Sequence, residues 1–220
     1  SLNTLTAHCL EPYPGGGHGM QNVPREELTA MMARAARAGI RCAIHAIGDA
    51  ANRIALDAFA ASGARGSIEH AQLVAAEDVP RFAELGIVAS VQPEHLLDDR
   101  DVADDLWAGR TARAFPLRDL ADAGARISLG SDAPVAPLDP WLAIAAASHR
   151  SRDGREPWHP EQSLTRVEAL TAATRHPIAV GAPADLVAVD LDPWTAPPDQ
   201  VRAMPVALTV VAGSIVHRAF

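Results

Sequence analysis

The run Ala125-Arg126-Ile127-Ser128-Leu129-Gly130-Ser131-Asp132-Ala133-Pro134 decides how the chain is read. Its first half is short and mostly apolar, the pattern of a buried strand. Gly130 and Ser131 then make a small-residue turn, and Asp132 sits just past the strand's end. Three earlier segments repeat this arrangement and end in polar groups. They are Ala43-Ile44-His45-Ala46-Ile47-Gly48-Asp49, Ile68-Glu69-His70-Ala71-Gln72 and Val88-Ala89-Ser90-Val91-Gln92-Pro93. Two histidines and an aspartate at the ends of successive strands suggest a metal site. A metal site there suggests hydrolysis.

Between these strands lie helical patterns. Pro24, Glu26 and Glu27 suit a helix start, and Leu28, Met31, Met32 and Ala35 follow at helical spacing up to Gly39. Strands are expected at 40–45, 67–70, 87–91 and 126–129. Further helices are expected from Gly48-Asp49 to Gly63 and at 77–85, 116–123, 140–149 and 164–174. Asp49, just before its helix, reads as an N-cap. Residues 93–111 carry Asp98, Asp99, Asp101, Asp104 and Asp105. They read as an irregular excursion, either a solvated face or a lid beside the site. After about residue 180 the pattern changes to short β-rich runs at 185–190, 207–211 and 214–217, a small antiparallel sheet. The chain therefore divides into an α/β body, 1–180, and a β tail, 181–220. Strands alternating with helices imply a parallel sheet, with the site at the carboxyl ends of its strands.

Composition narrows the functions available. Nearly half of the 220 residues are apolar, which fits a globular chain with a sizeable core. The formal charge is -8 and no Lys/Arg cluster offers a phosphate-binding stripe, so nucleic acid is not an expected partner. No apolar run approaches membrane-spanning length. Cys9 and Cys42 lack the spacing of a metal knuckle or a redox pair. They read as buried thiols, which suits a cytoplasmic location.

The chemistry follows from the ligand types. His45, His70 and Asp132 supply imidazole nitrogens and a carboxylate, the set that binds a divalent metal such as zinc and leaves a position open. Metal-activated water would attack a carbonyl, with Asp132 taking its proton and returning it to the leaving group. Glu69 should point to the face opposite its neighbour His70. Gln92 and His95, flanking Pro93, are candidates for contact with substrate.

These segments resemble the amidohydrolase superfamily, in its amidohydrolase family 3 branch. The resemblance rests on His45-Ala46-Ile47-Gly48-Asp49, Ile68-Glu69-His70-Ala71-Gln72, Ser90-Val91-Gln92-Pro93-Glu94-His95 and Gly130-Ser131-Asp132-Ala133-Pro134-Val135. The tail 182–190 resembles the family's return from barrel to small β domain. The resemblance implies a (β/α)8 TIM-type barrel with one or two divalent ions, zinc or similar, at its C-terminal face. His45 would be the ligand from strand five, His70 from strand six, and Asp132 ligand and proton shuttle from strand eight. Gln92 and His95 would lie near the substrate after strand seven.

Members of this family also carry a His-x-His pair after strand one and commonly a carboxylated lysine near strand four. This chain contains neither His-x-His nor any lysine. The resemblance therefore implies the C-terminal half of the barrel, strands five to eight, with part of the small β-sheet domain. Such a half is expected to leave two sheet edges and an apolar inner face uncovered. Its expected partners are an N-terminal half, as a separate chain or as further sequence, or else a second copy. The expected activity is hydrolysis of non-peptide carbon–nitrogen bonds in small amides or N-acyl compounds. The alternatives are a non-catalytic truncated half-barrel and a related metallohydrolase of esters or phosphoesters.

Overall fold

Four parallel strands carry the fold: β1 (Cys42–Ala46), β2 (Gly66–His70), β3 (Val88–Val91) and β4 (Ile127–Leu129). They pair in the order β1-β2-β3-β4 in a computed structural model that describes residues 1–219. The helices are α1 (Arg25–Arg37), α2 (Asp49–Ser62), α3 (Val79–Glu84), α4 (Pro93–Leu106), α5 (Leu117–Asp122), α6 (Pro140–His149), α7 (Arg166–Ala172) and α8 (Pro198–Arg202). The tail strands β5 (Leu186–Val189), β6 (Val206–Val211) and β7 (Ser214–Arg218) form a separate antiparallel sheet. Among the described residues no helix is long and apolar enough to cross a membrane.

Local chemistry sets the helix ends. Glu26 and Glu27 lie in the first turn of α1 and Arg34 and Arg37 in its last, each charge matched to the helix dipole. α2 stops where Gly63 turns left-handed, at φ 65°. Thr165 and Glu168 close a reciprocal capping box on α7.

The two faces of the parallel sheet differ. Ile68 and Ala89 are wholly buried against a core that includes Leu56 and Phe59 of α2, Phe82 of α3, Leu120 of α5 and Ile144 of α6. On the other face His45, Glu69, Ser90 and Ser128 stand in one register row across all four strands. None of these four is buried. This row of the open face is therefore polar, whereas the row before it, Ala43, Ser67 and Val88, mixes polar and apolar residues. Strand alternation sends Ile44, Ile68, Ala89 and Ile127 to the helix side and leaves His45, Glu69, Ser90 and Ser128 facing the open side.

The structure also corrects the reading of residues 93–111. Most of this stretch is α4, neither an irregular excursion nor a lid. Leu96, Leu97, Ala103 and, just beyond the helix, Trp107 are buried in a second core with Ile47, Leu73, Phe115 and Trp158. The aspartates sit on the helix's outer side and anchor it. Asp98 pairs with Arg152 and Asp101 with Arg155, while Asp104 accepts a hydrogen bond from the Trp158 indole. Counting charge hid the helical spacing of the apolar residues beneath.

Candidate metal centre

His70 is the last residue of β2 and pairs with Ala46, which is buried on the helix side. Regular alternation would carry His70 to that side as well. Instead His70 and Ala71 both adopt left-handed backbone, at φ 77° and 42°. The imidazole consequently meets the exposed His45 ring edge-on, with centroids 4.6 Å apart. It also stacks on His95, at 5.9 Å and 19° between planes. His95 is the third residue of α4, which begins directly after β3. Asp132, after β4, has left-handed backbone too, at φ 54°.

The imidazole nitrogens of His70 and His95 and the carboxylate of Asp132 offer ligand atoms that all lie within 4.8 Å of one another. His70 Nδ1 and His95 Nε2 are buried with no hydrogen-bond partner. Buried polar atoms are normally satisfied, so two orphaned imidazole nitrogens beside a carboxylate fit a cation-binding set. Gln92 Oε1 is a third buried orphan, while its amide nitrogen donates to the Ser90 carbonyl at 3.3 Å. Burial first, and the neighbouring His45 second, push the His70 pKa down to about 4, against the opposing pull of Asp132. Burial also lowers that of His45. A neutral imidazole has the lone pair that ligation needs.

The sequence-expected residues thus converge around His70. His95, expected beside substrate, joins His70 and Asp132. His45, expected as a ligand, reaches the group through its ring contact with His70. Glu69 lies on the same face as His45, and its carboxylate accepts from the Ser67 hydroxyl at 2.5 Å.

One supporting residue, Asn52, escaped the sequence reading, and a second, Asp49, was read for another role. Asn52 is wholly buried, and its amide nitrogen lies 3.0 Å from the carbonyls of both Gly48 and Leu73. It ties together the loops that leave β1 and β2, and so holds the turn that re-aims His70. Asn52, Ala55, Leu56 and Phe59 are all buried at helical spacing. A lone amide on that apolar stripe was the available signal. Asp49, read as an N-cap, is not one: Gly48 occupies the cap. Asp49 is fully buried, accepts from the Leu10 amide at 2.7 Å and pairs with Arg113 at 3.4 Å. It fastens the N-terminal loop to the site.

The amidohydrolase family model matches residues 1–217. The chain belongs to the amidohydrolase family. Among its relatives is protein LONG AFTER FAR-RED 3 of Arabidopsis thaliana, 38% identical over 186 residues, covering 79% of this chain and 32% of that protein. The N-substituted formamide deformylase of Arthrobacter pascens is 30% identical over 214 residues, covering 86% of this chain and 39% of its own. In structure, this amidohydrolase chain is similar to an uncharacterized metal-dependent hydrolase from Pyrococcus furiosus. That match has a TM-score of 0.69 and 33% identity over 77% of this chain and 36% of that one. The α/β fold thus has its structural neighbours in the amidohydrolase barrel superfamily. The chain spans about a third to two fifths of the length of these relatives.

Proposed function

We propose that this chain is the C-terminal half of a metal-dependent hydrolase that cleaves non-peptide carbon–nitrogen bonds in amides or N-acyl compounds. The observation that carries the proposal is the meeting of orphaned His70 and His95 nitrogens with the Asp132 carboxylate at the strand ends. Likeness to a formamide deformylase supports the choice of bond.

His70, Asp132 and His95 would hold one divalent ion, zinc or similar, with His45 placed to hold the same ion or a second. Such an ion supplies Lewis acidity to a carbonyl and lowers the pKa of water. Asp132 takes a proton on its carboxylate from the attacking water and delivers it to the departing amine nitrogen. Gln92, with its free Oε1, orients the substrate amide. The free thiols Cys9 and Cys42 suit the reducing cytoplasm.

The half-barrel reading rests on the sheet's two edges. A groove of about 350 Å³ runs beside β1, lined by Ala43, His45, Leu28 and Ile54. Another of about 910 Å³ runs beside β4, lined by Arg126, Ile127, Leu164 and Val167. Each is open beside an edge strand and its helices, where a further strand–helix unit would pack. Residues 1–180 would supply strands five to eight, and 181–220 part of the small β domain. An N-terminal half would close both edges, and a second copy is the other arrangement.

The test is a substrate panel, run on the zinc-loaded protein together with an N-terminal half. Fastest turnover is expected on N-formyl or N-acyl amines. Faster turnover of a phosphotriester or an ester overturns the bond assignment. Asp132→Ala should abolish turnover with the fold intact, and normal activity in that variant contradicts the proton-shuttle role. A second reading is a non-catalytic half-barrel. Absence of turnover on every substrate, with the partner half present, would establish it.

A further inference from the structure

Glu94 is 5% exposed, yet it carries a carboxylate in the first turn of α4, next to His95. Its two oxygens accept from both terminal nitrogens of Arg202, at 2.7 and 2.9 Å. Arg152 approaches one of the same oxygens at 3.6 Å. Arg202 is the last residue of α8, between the first two strands of the tail sheet. α8 is itself seated in the body, because Val201 is wholly buried in the main core. A two-pronged arginine–carboxylate bond fixes orientation as well as distance.

The first turn of α4 holds every residue of this segment that faces the site. Gln92 caps it, and the His95 amide donates to the Gln92 carbonyl at 3.0 Å. No side chain caps the helix start, so the local backbone alone does little to fix its direction. Pro93 removes one donor without adding a tether. The side-chain tethers of the later turns run to the 150–158 loop, except Asp99, which accepts from Gln72 at 2.7 Å and from Asn3 at 3.2 Å. At the first turn the anchor is Glu94, and its main partner comes from the tail.

We propose that the Glu94–Arg202 pair is a positioning clamp through which the tail segment sets the aim of His95 toward His70 and Asp132. The tail is then more than an appendage, since α8 holds one of the three candidate ligands in register. The proposal rests on the metal-centre reading above. It goes beyond it by assigning a role to two residues that touch neither metal nor substrate.

Cobalt(II) is the probe, with dissociation constant and visible absorption spectrum as readouts. The double variant Glu94→Gln/Arg202→Met removes the charges together and leaves no unpaired carboxylate. It is expected to weaken cobalt binding roughly tenfold or more and to change the spectrum, the size seen when support for a ligand is removed. Arg118→Met is the control, because it breaks a similar two-pronged bond to Glu168 that holds α5 to α7 away from the cluster. It should lower thermal stability and leave cobalt affinity within about twofold of the parent. Should the double variant not fold, Arg202→Lys keeps the charge, loses the fork and carries the same comparison. A folded clamp variant with parental affinity and spectrum overturns the clamp. A parent chain that binds no cobalt overturns instead the metal reading beneath it.

Discussion

At the residue scale, the site depends on close backbone approaches as much as on its polar groups. A Cβ on Gly48 would lie 2.1 Å from the His8 carbonyl oxygen, so only glycine lets the loop after β1 pass beneath the N-terminal segment. The φ of −76° there suits any residue, and the restriction is steric. Gly48→Ala should therefore cost about 2 kcal/mol, as other overpacked positions do. Urea unfolding measures it, and a loss below about 0.5 kcal/mol would show that the His8 segment moves aside freely. His45, His70 and Asp132 were legible in the sequence because each ends an apolar strand. The approach of His95 to His70 and Asp132 was not. It follows from the left-handed backbone at His70 and Ala71, and neither is a glycine that would announce it. Asp49 misled for a related reason: an aspartate at a helix start reads as a cap, yet here its carboxylate accepts from the Leu10 backbone at 2.7 Å as well as from Ala50 of its own helix at 3.1 Å.

At the element scale, charge and apolar spacing compete, and each wins somewhere. In α4 the apolar spacing won, and its aspartates became anchors to the 150–158 loop. In α7 the charges are what define the start. Glu168 accepts from Arg118, bonds the Thr165 amide and hydroxyl, and has its pKa held down to about 2, chiefly by Arg118. A carboxyl pKa depressed on folding contributes stability that is complete above its unfolded value near 4.5 and lost as the pH falls toward 2. The group is partly exposed, so solvent screening limits its worth to about 1 kcal/mol. Glu168→Gln should thus be less stable than the parent at pH 6, with the gap shrinking between pH 4.5 and 3. Urea unfolding at those pH values checks this, and a gap of constant size at pH 3 contradicts it. The helix at 164–174 was legible in outline, while the capping box that Thr165 and Glu168 form at its start was not read. α8 was not legible, because five residues show no periodicity.

At the scale of the whole molecule, the alternation of strand and helix was enough to read a parallel sheet with polar strand ends. The polar row on the open face was visible as alternation in Ile44-His45, Ile68-Glu69, Ala89-Ser90 and Ile127-Ser128, but these strands are too short for the alternation to outweigh the expectation of an apolar inner face. That face bears His45, Glu69, Ser90 and Ser128, the lining expected of a wet interior beneath a metal site rather than of a dry core. The half-barrel account places the greasier surfaces at the two edge grooves. Mixing the chain with an N-terminal barrel half should give a one-to-one complex by light scattering, with a higher melting temperature than the chain alone. A chain that stays monomeric and unshifted in that mixture would mean the grooves are not closed this way. The central claim, that His70, His95 and Asp132 hold a divalent ion, is tested most directly by calorimetric titration of the chain with zinc. The account predicts saturable binding that His70→Ala, His95→Ala and Asp132→Ala each weaken by at least tenfold, in proteins that keep the parent's circular dichroism. Equal zinc affinity in the parent and all three variants would contradict it.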